Sequence, residues 1–138
     1  MILANSKITQ LASDAVTVLN PKRKRPLLFV CEHAGAEIPS PWKTLGLPPA
    51  FFDTHFAYDK GAAEVTKFLA HYMDATAISS RYSRIFLDYN RYPDDWEKIR
   101  PDLGGIPVPG NTMISEVEKS LRYAIAEEPV TSAILQHL

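Results

Sequence analysis

The feature that most constrains the fold is a short apolar run at 27–31, Leu-Leu-Phe-Val-Cys, which follows Pro26 and precedes Glu32 and His33. Because the run has no alternation of polar and apolar side chains and is only five residues long, it predicts a strand buried on both faces of a covered sheet. Polar residues just past the carboxyl end of such a strand lie where open α/β sheets bind ligands. The run therefore predicts an α/β fold with a candidate site at Glu32 and His33.

The rest of the chain supplies further elements of the same class. A short helix is expected to start near Pro48 and Pro49 and to run toward His55, and Val65, Phe68, Leu69 and Tyr72 recur at helical spacing within 61–73. Strands are predicted at 16–19, 76–80 and 85–87, and Ser115 with Glu118 forms a capping box that starts a last helix. This order of strands and helices predicts α/β layers around a partly parallel sheet.

Composition limits the class of protein. The 138 residues suit a single domain over 1–138, with 46% apolar and 22% charged residues, as in globular chains. A net charge of -1 gives no basic field for nucleic acid or an anionic membrane, and no apolar run approaches the ~20 residues of a membrane span. The single cysteine excludes an internal disulfide framework and favours a reducing, cytoplasmic compartment. Proline is frequent, at 11 residues, which predicts much loop structure.

Two histidines and one carboxylate are candidates for metal binding. His33 follows the apolar strand, and His55 and Asp59 are four residues apart, so on a helix they would share one face. Zinc takes nitrogen and carboxylate ligands from separate elements, and a catalytic site keeps one position for water. The alternative, which spacing alone favours, is that the same side chains have capping or core roles. Cys31 lies inside the apolar run, where a thiol is inert.

A second polar cluster surrounds the apolar residues 85–87. Arg84 precedes them, and Asp88, Asn90 and Arg91 follow. The planar guanidinium group of arginine matches a carboxylate through two parallel hydrogen bonds, so the cluster suits a substrate clamp. The alternative is an ion pair between Asp88 and an arginine that only fixes the loop.

Together these segments resemble the N-formylglutamate amidohydrolase family. The similar stretches, in the family's order, are Phe29–Gly35 with Ile38-Pro39, Leu45–Leu47, His55–Ala62, Tyr82–Arg91 and Ile106–Asn111. The resemblance implies a fold like that of the zinc carboxypeptidases, a three-layer α/β sandwich with a mixed, partly parallel sheet, as in phosphorylase/hydrolase-like proteins. It also implies one divalent metal ion, with zinc as the expected ion.

The resemblance assigns roles only where residues match. His33 corresponds to the family's first metal-binding histidine, and His55 to a position where members have His or Asp, consistent with a second ligand. Asp59 is a matching carboxylate, grouped with the metal ligands, whose role the resemblance leaves open.

The second cluster matches as well. Asn90 and Arg91 resemble the Asn-Arg pair that holds a substrate carboxylate in carboxypeptidase-like folds. Arg84 is then expected to contact the substrate or the oxyanion, and Asp88 to orient an arginine. The implied reaction is metal-assisted hydrolysis of the amide bond of a small N-formyl or N-acyl amino acid, such as N-formylglutamate in histidine degradation.

The sequence departs from the family pattern at two places. Many members have Asn where this chain has Ala36, and members continue beyond the point that corresponds to Leu138, through a later motif expected to supply a further metal ligand. The resemblance therefore predicts a C-terminally truncated domain with an incomplete sheet. The alternatives to a hydrolase are an inactive remnant or binding module, and a structural or interaction protein that pairs with another chain, or with a second copy of itself, through its unpaired sheet edge.

Overall fold

A computed structural model describes residues 1–138, and its core is a small mixed sheet with helices packed against it. The helices are α1 (Asn5–Asp14), α2 (Ala62–Tyr72), α3 (Glu116–Arg122) and α4 (Glu128–His137). The strands are β1 (Val16–Leu19), β2 (Leu28–Cys31), β3 (Thr76–Ser80) and the short hairpin β4 (Asp102–Leu103) and β5 (Ile106–Pro107). Short 3-10 helices cover Pro49–Asp53, Trp96–Ile99 and Pro109–Asn111, and one wide π turn, Tyr123–Glu127, joins α3 to α4.

The main sheet has the order β1-β3-β2, so that β3 is central. Strand β3 runs parallel to β2, with Thr76 opposite Leu28. It runs antiparallel to β1, with Ser80 opposite Val16. Every residue of β3 is buried, while α2 contacts β2 and β3, and α4 contacts β1 and β3. The predicted mixed, partly parallel α/β sheet is confirmed.

The strand predicted from the apolar run is present but is not buried on both faces. It begins at Leu28 and forms an edge of the sheet, because β3 pairs with it on one side and no strand pairs with it on the other. Val30 is 40% exposed, whereas Cys31 at its end is buried. The expectation of a fully covered strand is therefore wrong. The predicted self-association through an unpaired edge stays a prediction.

Residues 85–87 are the main error in the predicted elements. Ile85, Phe86 and Leu87 are almost completely buried, as their composition suggests, but they form a turn and not a strand. Their backbone oxygens are satisfied by side chains from distant positions: Asn111 donates to the oxygen of Ile85, and Arg122 donates to that of Phe86. A buried carbonyl group needs a hydrogen-bond donor, but the donor can be a side chain as well as a neighbouring strand. The segment is therefore buried in the core without being part of a sheet.

Two helix predictions also change. The helix after Pro48 is a 3-10 helix that ends at Asp53, so His55 and Asp59 do not share a helical face. Of the apolar side chains of α2 that recur at helical spacing, Val65, Phe68 and Tyr72 are exposed, and only Leu69 is half-buried. The helix instead packs through small residues, of which Ala70 is buried. Phe68 and Tyr72 stack on each other at a centroid distance of 5.9 Å.

The predicted capping box at the start of α3 is half correct. The Ser115 hydroxyl accepts from the backbone amide of Glu118 at 3.1 Å. The Glu118 carboxylate does not return to Ser115, because it accepts from Trp42 at 3.1 Å and from Arg122 at 2.7 Å. Arg122 is completely buried and also donates to Asn111, so this cluster fixes α3 onto the proline-rich loop. None of the helices combines the length and apolar content needed to cross a membrane.

Candidate active site

The chain brings His33 and Asp88 together at the carboxyl end of β2. His33 lies two residues beyond the strand, and its backbone oxygen accepts from the amide of Asp59 at 3.0 Å. Asp88 directly follows the buried turn 85–87, and its amide donates to the oxygen of Lys98 at 2.8 Å. Both loops are therefore fixed by backbone hydrogen bonds, which position the two side chains.

The contact between the two side chains is short and protected from solvent. His33 Nε2 lies 2.7 Å from Asp88 Oδ1, and the two side chains are 11% and 10% exposed. Burial acts to lower the pKa of His33, but the hydrogen bond and charge of Asp88 outweigh it, so the pKa of His33 lies above its ordinary value. Burial acts to raise the pKa of Asp88, but the His33 bond and the Asn90 amide hold it below its ordinary value.

The other ring nitrogen of His33 faces two groups of opposite charge. Nδ1 lies 3.3 Å from Asp59 Oδ2 and 3.3 Å from one terminal nitrogen of Arg84. When His33 is neutral with its proton on Nε2, that proton is donated to Asp88 and Nδ1 can accept from Arg84. When His33 is protonated, Nδ1 donates to Asp59. Arg84 and Asp59 are themselves paired at 3.1 Å.

All three nitrogen atoms of the Arg84 guanidinium have a partner within the protein. Its Nε donates to the oxygen of Phe56 at 3.2 Å, and one terminal nitrogen donates to the backbone oxygen of His55. The other terminal nitrogen faces His33 and Asp59. The structure thus gathers His33, Asp59, Arg84 and Asp88 into one charged cluster.

His55 contributes to this cluster only through its backbone. Its side chain is exposed, and its ring packs on Phe56 at a centroid distance of 4.3 Å. No three His, Cys, Asp or Glu side chains stand in metal-binding geometry. His33, His55 and Asp59 are therefore not brought together as one set of ligands.

The separation of two of the three predicted ligands is compatible with a divalent ion. Two ligands of a tetrahedral zinc ion, each about 2.0–2.1 Å from it, lie about 3.3 Å apart. His33 Nδ1 and Asp59 Oδ2 have this separation. Asp88, bound to the opposite ring nitrogen, has the position of the carboxylate that orients a metal-binding histidine. The Arg84 guanidinium faces the same nitrogen and oxygen, so it would compete with the ion for them.

The predicted clamp residues Asn90 and Arg91 line different cavities. Asn90 borders an open cleft of about 580 Å³ together with Glu32, His33 and Asp59. Arg91 borders a separate cavity of about 210 Å³, here called the arginine pocket, whose lining residues are His55, Phe56, Arg84, Ile85, Asp88, Arg91, Arg100 and Leu103. His33 and Asp88 therefore lie between the two cavities.

Three residues of this region were not found from the sequence. Glu97 pairs with Arg91 at 3.0 Å, and Arg100 lines the arginine pocket. Lys98 is buried, donates to the oxygen of Arg91 at 2.9 Å and pairs with Glu127 at 2.7 Å, which fixes the backbone of Arg91. The sequence feature that indicates these residues is the group of charged side chains next to Trp96 inside a long proline-rich loop. Long loops of this kind often carry functional residues.

Comparisons with known proteins found one family match and a similar solved structure. Residues 25–134 match the family described as N-formylglutamate amidohydrolase. The crystal structure of gene product Atu2144 from Agrobacterium tumefaciens is similar, with a TM-score of 0.88 and 32% identity over 93% of this chain. The match covers 51% of that protein, so this chain spans about half the length of the solved structure. No curated protein sequence matches significantly.

Proposed function

The chain belongs to the N-formylglutamate amidohydrolase family, and from this premise we propose that it hydrolyses the amide bond of an N-formyl or other N-acyl amino acid, such as N-formylglutamate, with the help of a divalent metal. The observation that carries the proposal is the cluster of His33, Asp59, Arg84 and Asp88 between two cavities. A family domain of this kind supports an amidohydrolase-like function, and the cluster supplies polar groups that such a reaction uses.

His33 and Asp59 are the residues that would hold the ion, and zinc is the expected choice. When bound, the ion would supply Lewis-acid polarisation of the carbonyl group and a lower pKa for an attacking water molecule. Asp88 would keep the His33 proton on Nε2, which leaves the Nδ1 lone pair available as a ligand. The 2.7 Å bond between the two side chains supports this role for Asp88.

Arg84 is the proposed oxyanion contact. Its guanidinium faces the His33 nitrogen from within the cluster, and its bonds to the backbone of Phe56 and His55 fix its position before substrate arrives. A donor that is already in place requires no reorganisation when negative charge develops on the carbonyl oxygen. These bonds support the proposal that Arg84 would stabilise that charge.

Asn90 and Arg91 are the proposed contacts for the substrate carboxylate. Asn90 reaches the cleft beside His33, and Arg91 reaches the arginine pocket on the other side of Asp88. Asp88 Oδ2 lies 4.0 Å from Arg91 Nε, so Asp88 can orient this arginine while it also binds His33. Fixing a carboxylate beside the cluster would position the amide bond for attack.

The test is a hydrolysis assay with N-formylglutamate on purified protein that has been stripped of metal and then reloaded with zinc. Formate release that is lost on chelation and restored by about one equivalent of zinc would support the proposal. His71→Ala is a matched control, because His71 lies on α2 outside the cluster, and it should behave like the unsubstituted chain. Formate release that persists unchanged in the stripped protein would refute the metal dependence, and no release in any form would refute the activity.

A second candidate function is a binding module of the same family without catalysis. The observation that favours it is that His55 does not join His33 and Asp59, which leaves two ligands for the ion. Such a module would bind N-formylglutamate in a calorimeter and release no formate. The two measurements on one preparation therefore separate the two functions.

A further inference from the structure

We propose that Lys98 is a positioning residue, whose buried side chain fixes the place of Arg91 from outside the two cavities of the site. Its ion-pair partner is Glu127, so contacts on the far side of the loop would determine how well Arg91 holds a substrate carboxylate. This inference rests on the proposed function, because it assigns a part to a residue that lines neither the open cleft nor the arginine pocket.

The side chain of Lys98 is almost completely buried, with 3% of its surface exposed. Lysine is almost never found in this state unless its charge is paired. The ammonium group lies 2.7 Å from Glu127 Oε2 and donates to the backbone oxygen of Arg91 at 2.9 Å. It also lies 5.4 Å from the centre of the Tyr123 ring. These partners offset the cost of removing the charge from water, and they restrict the ammonium group to one place.

Lys98 supports residues 88–91, here called the site loop, at both ends. Its backbone oxygen accepts from the amide of Asp88 at 2.8 Å, and its ammonium group donates to the oxygen of Arg91. Between these two points, the amide of Asn90 donates to Asp88 Oδ1 at 2.9 Å. A substitution of the Lys98 side chain would release the Arg91 end of the loop and leave the bond at the Asp88 end in place.

Arg91 depends on this support more than its neighbours do. The bond from Lys98 is the one hydrogen bond that the backbone of Arg91 makes. Its guanidinium group is held at 3.0 Å by Glu97, which belongs to the same 3-10 helix as Lys98, Trp96–Ile99. One short helix therefore fixes both the backbone and the side chain of Arg91. A group that is fixed in advance loses less conformational entropy when an anion binds.

Glu127 reaches Lys98 from the wide π turn between α3 and α4. Tyr123 and Glu127 are the first and last residues of this turn, and both contact Lys98. Pro129 follows the turn, and since proline has no amide hydrogen, it donates to no carbonyl group of the turn. Wide turns of this kind inside helices are rare and are frequent at functional sites. The turn thus connects the two helices to the site loop through Lys98.

The experiment uses Lys98→Met, which keeps the bulk of the side chain but removes the ammonium group, and Glu127→Gln, which removes its charged partner. One control is Glu128→Gln, the same change at the next and exposed position. The other is Lys119→Met, because Lys119 pairs with the exposed Glu116. Hydrogen exchange of the backbone amides is measured for each protein, together with KM and kcat for N-formylglutamate.

Both variants should speed exchange of the Asn90 amide by at least about 10-fold and leave the amides of β3 unchanged, because only the site loop loses a support. They should raise KM by roughly 10- to 100-fold with little change in kcat, since a displaced Arg91 binds the carboxylate less well. A merely structural role would instead reduce the folded fraction, which lowers the apparent kcat and leaves KM unchanged. Both controls should match the unsubstituted chain.

A double-mutant cycle tests whether Lys98 acts through Arg91. Lys98→Met should raise KM no further in an Arg91→Ala background, and an additional rise there would overturn the inference. Unchanged exchange at Asn90 in both variants, or a fall in apparent kcat at constant KM, would also overturn it. Faster exchange at Asn90 without formate release from any of the proteins would refute the proposed hydrolysis, while the role of Lys98 in fixing Arg91 would stand.

Discussion

His33 Nε2 and Asp88 Oδ1 lie 2.7 Å apart although 55 positions separate the two residues in the sequence. One residue follows the edge strand β2, and the other follows a buried turn beyond the central strand β3. The contact therefore joins two loops through side chains that each shift the pKa of the other in favour of its charged form. It also connects the two cavities, since His33 borders the open cleft and Asp88 borders the arginine pocket.

Removing the charge of Asp88 should impair catalysis without changing the fold. Asp88→Asn keeps the shape but removes the carboxylate that orients His33, and such changes beside metal ligands cost about 10- to 100-fold in metal affinity or activity. We expect a loss of that size in kcat/KM for N-formylglutamate, measured with zinc in excess. The control is Asp53→Asn, because Asp53 is an exposed partner of Lys60. Equal kcat/KM values for the two variants would contradict the assignment.

The buried Arg122 should make stability depend on pH through Glu118. Burial acts to raise the pKa of Glu118, but hydrogen bonds from Arg122 and Trp42 outweigh it and hold the pKa below its ordinary value. A carboxylate with a lowered pKa stabilises the fold above its unfolded pKa of about 4.3, and this contribution is lost as the pH falls through the folded pKa.

Urea denaturation between neutral pH and about pH 3 measures this effect. Glu118→Gln should reduce the free energy of unfolding at neutral pH by about 1–3 kcal/mol and flatten its decline in acid. Glu116→Gln is the matched control, since Glu116 pairs with Lys119 on the exposed side of α3. Parallel acid profiles for Glu118→Gln and the unsubstituted chain would show that Glu118 does not carry the dependence.

Gly35 should not tolerate a side chain. An added Cβ would lie 2.0 Å from the backbone oxygen of Arg81, and Arg81 is itself held by a bond from its amide to the oxygen of Ala15. Gly35→Ala must therefore displace backbone next to His33, and we expect a loss of about 1–3 kcal/mol in the free energy of unfolding. The control is Ala36→Ser at the next position. An unchanged urea midpoint for Gly35→Ala would contradict this packing.

The exposed apolar face of α2 should contribute little to stability. Phe68 is 65% exposed, so Phe68→Ser should change the free energy of unfolding by less than about 0.5 kcal/mol. Ala70, on the opposite side of the same helix, is buried, and Ala70→Leu should cost about 1–3 kcal/mol by overpacking. Thermal or urea unfolding compares the two variants directly. A larger loss for Phe68→Ser than for Ala70→Leu would mean that the helix packs through its large apolar residues.

The sequence predicted those features that depend on local pattern. The apolar run before His33 and the polar residues after 85–87 identified two loops of the site, because both patterns are contiguous. Local pattern does not predict the turn at 85–87, because the side chains that bond its backbone, Asn111 and Arg122, lie far along the chain. Helical spacing predicts that His55 and Asp59 share one face, but the 3-10 helix ends at Asp53. Local pattern also does not predict that Glu97, in the 3-10 helix Trp96–Ile99, pairs with both Arg91 and Arg100, because Arg91 lies outside that helix.

The most direct measurement is the initial rate of formate release from N-formylglutamate by the zinc-loaded chain and by His33→Gln. His33 contacts Asp88, Asp59 and Arg84 at once, so its loss removes the centre of the proposed site. We predict measurable release by the unsubstituted chain and a rate at least about 100-fold lower for His33→Gln. Equal rates for the two proteins, or no release from the unsubstituted chain, would contradict hydrolysis centred on His33.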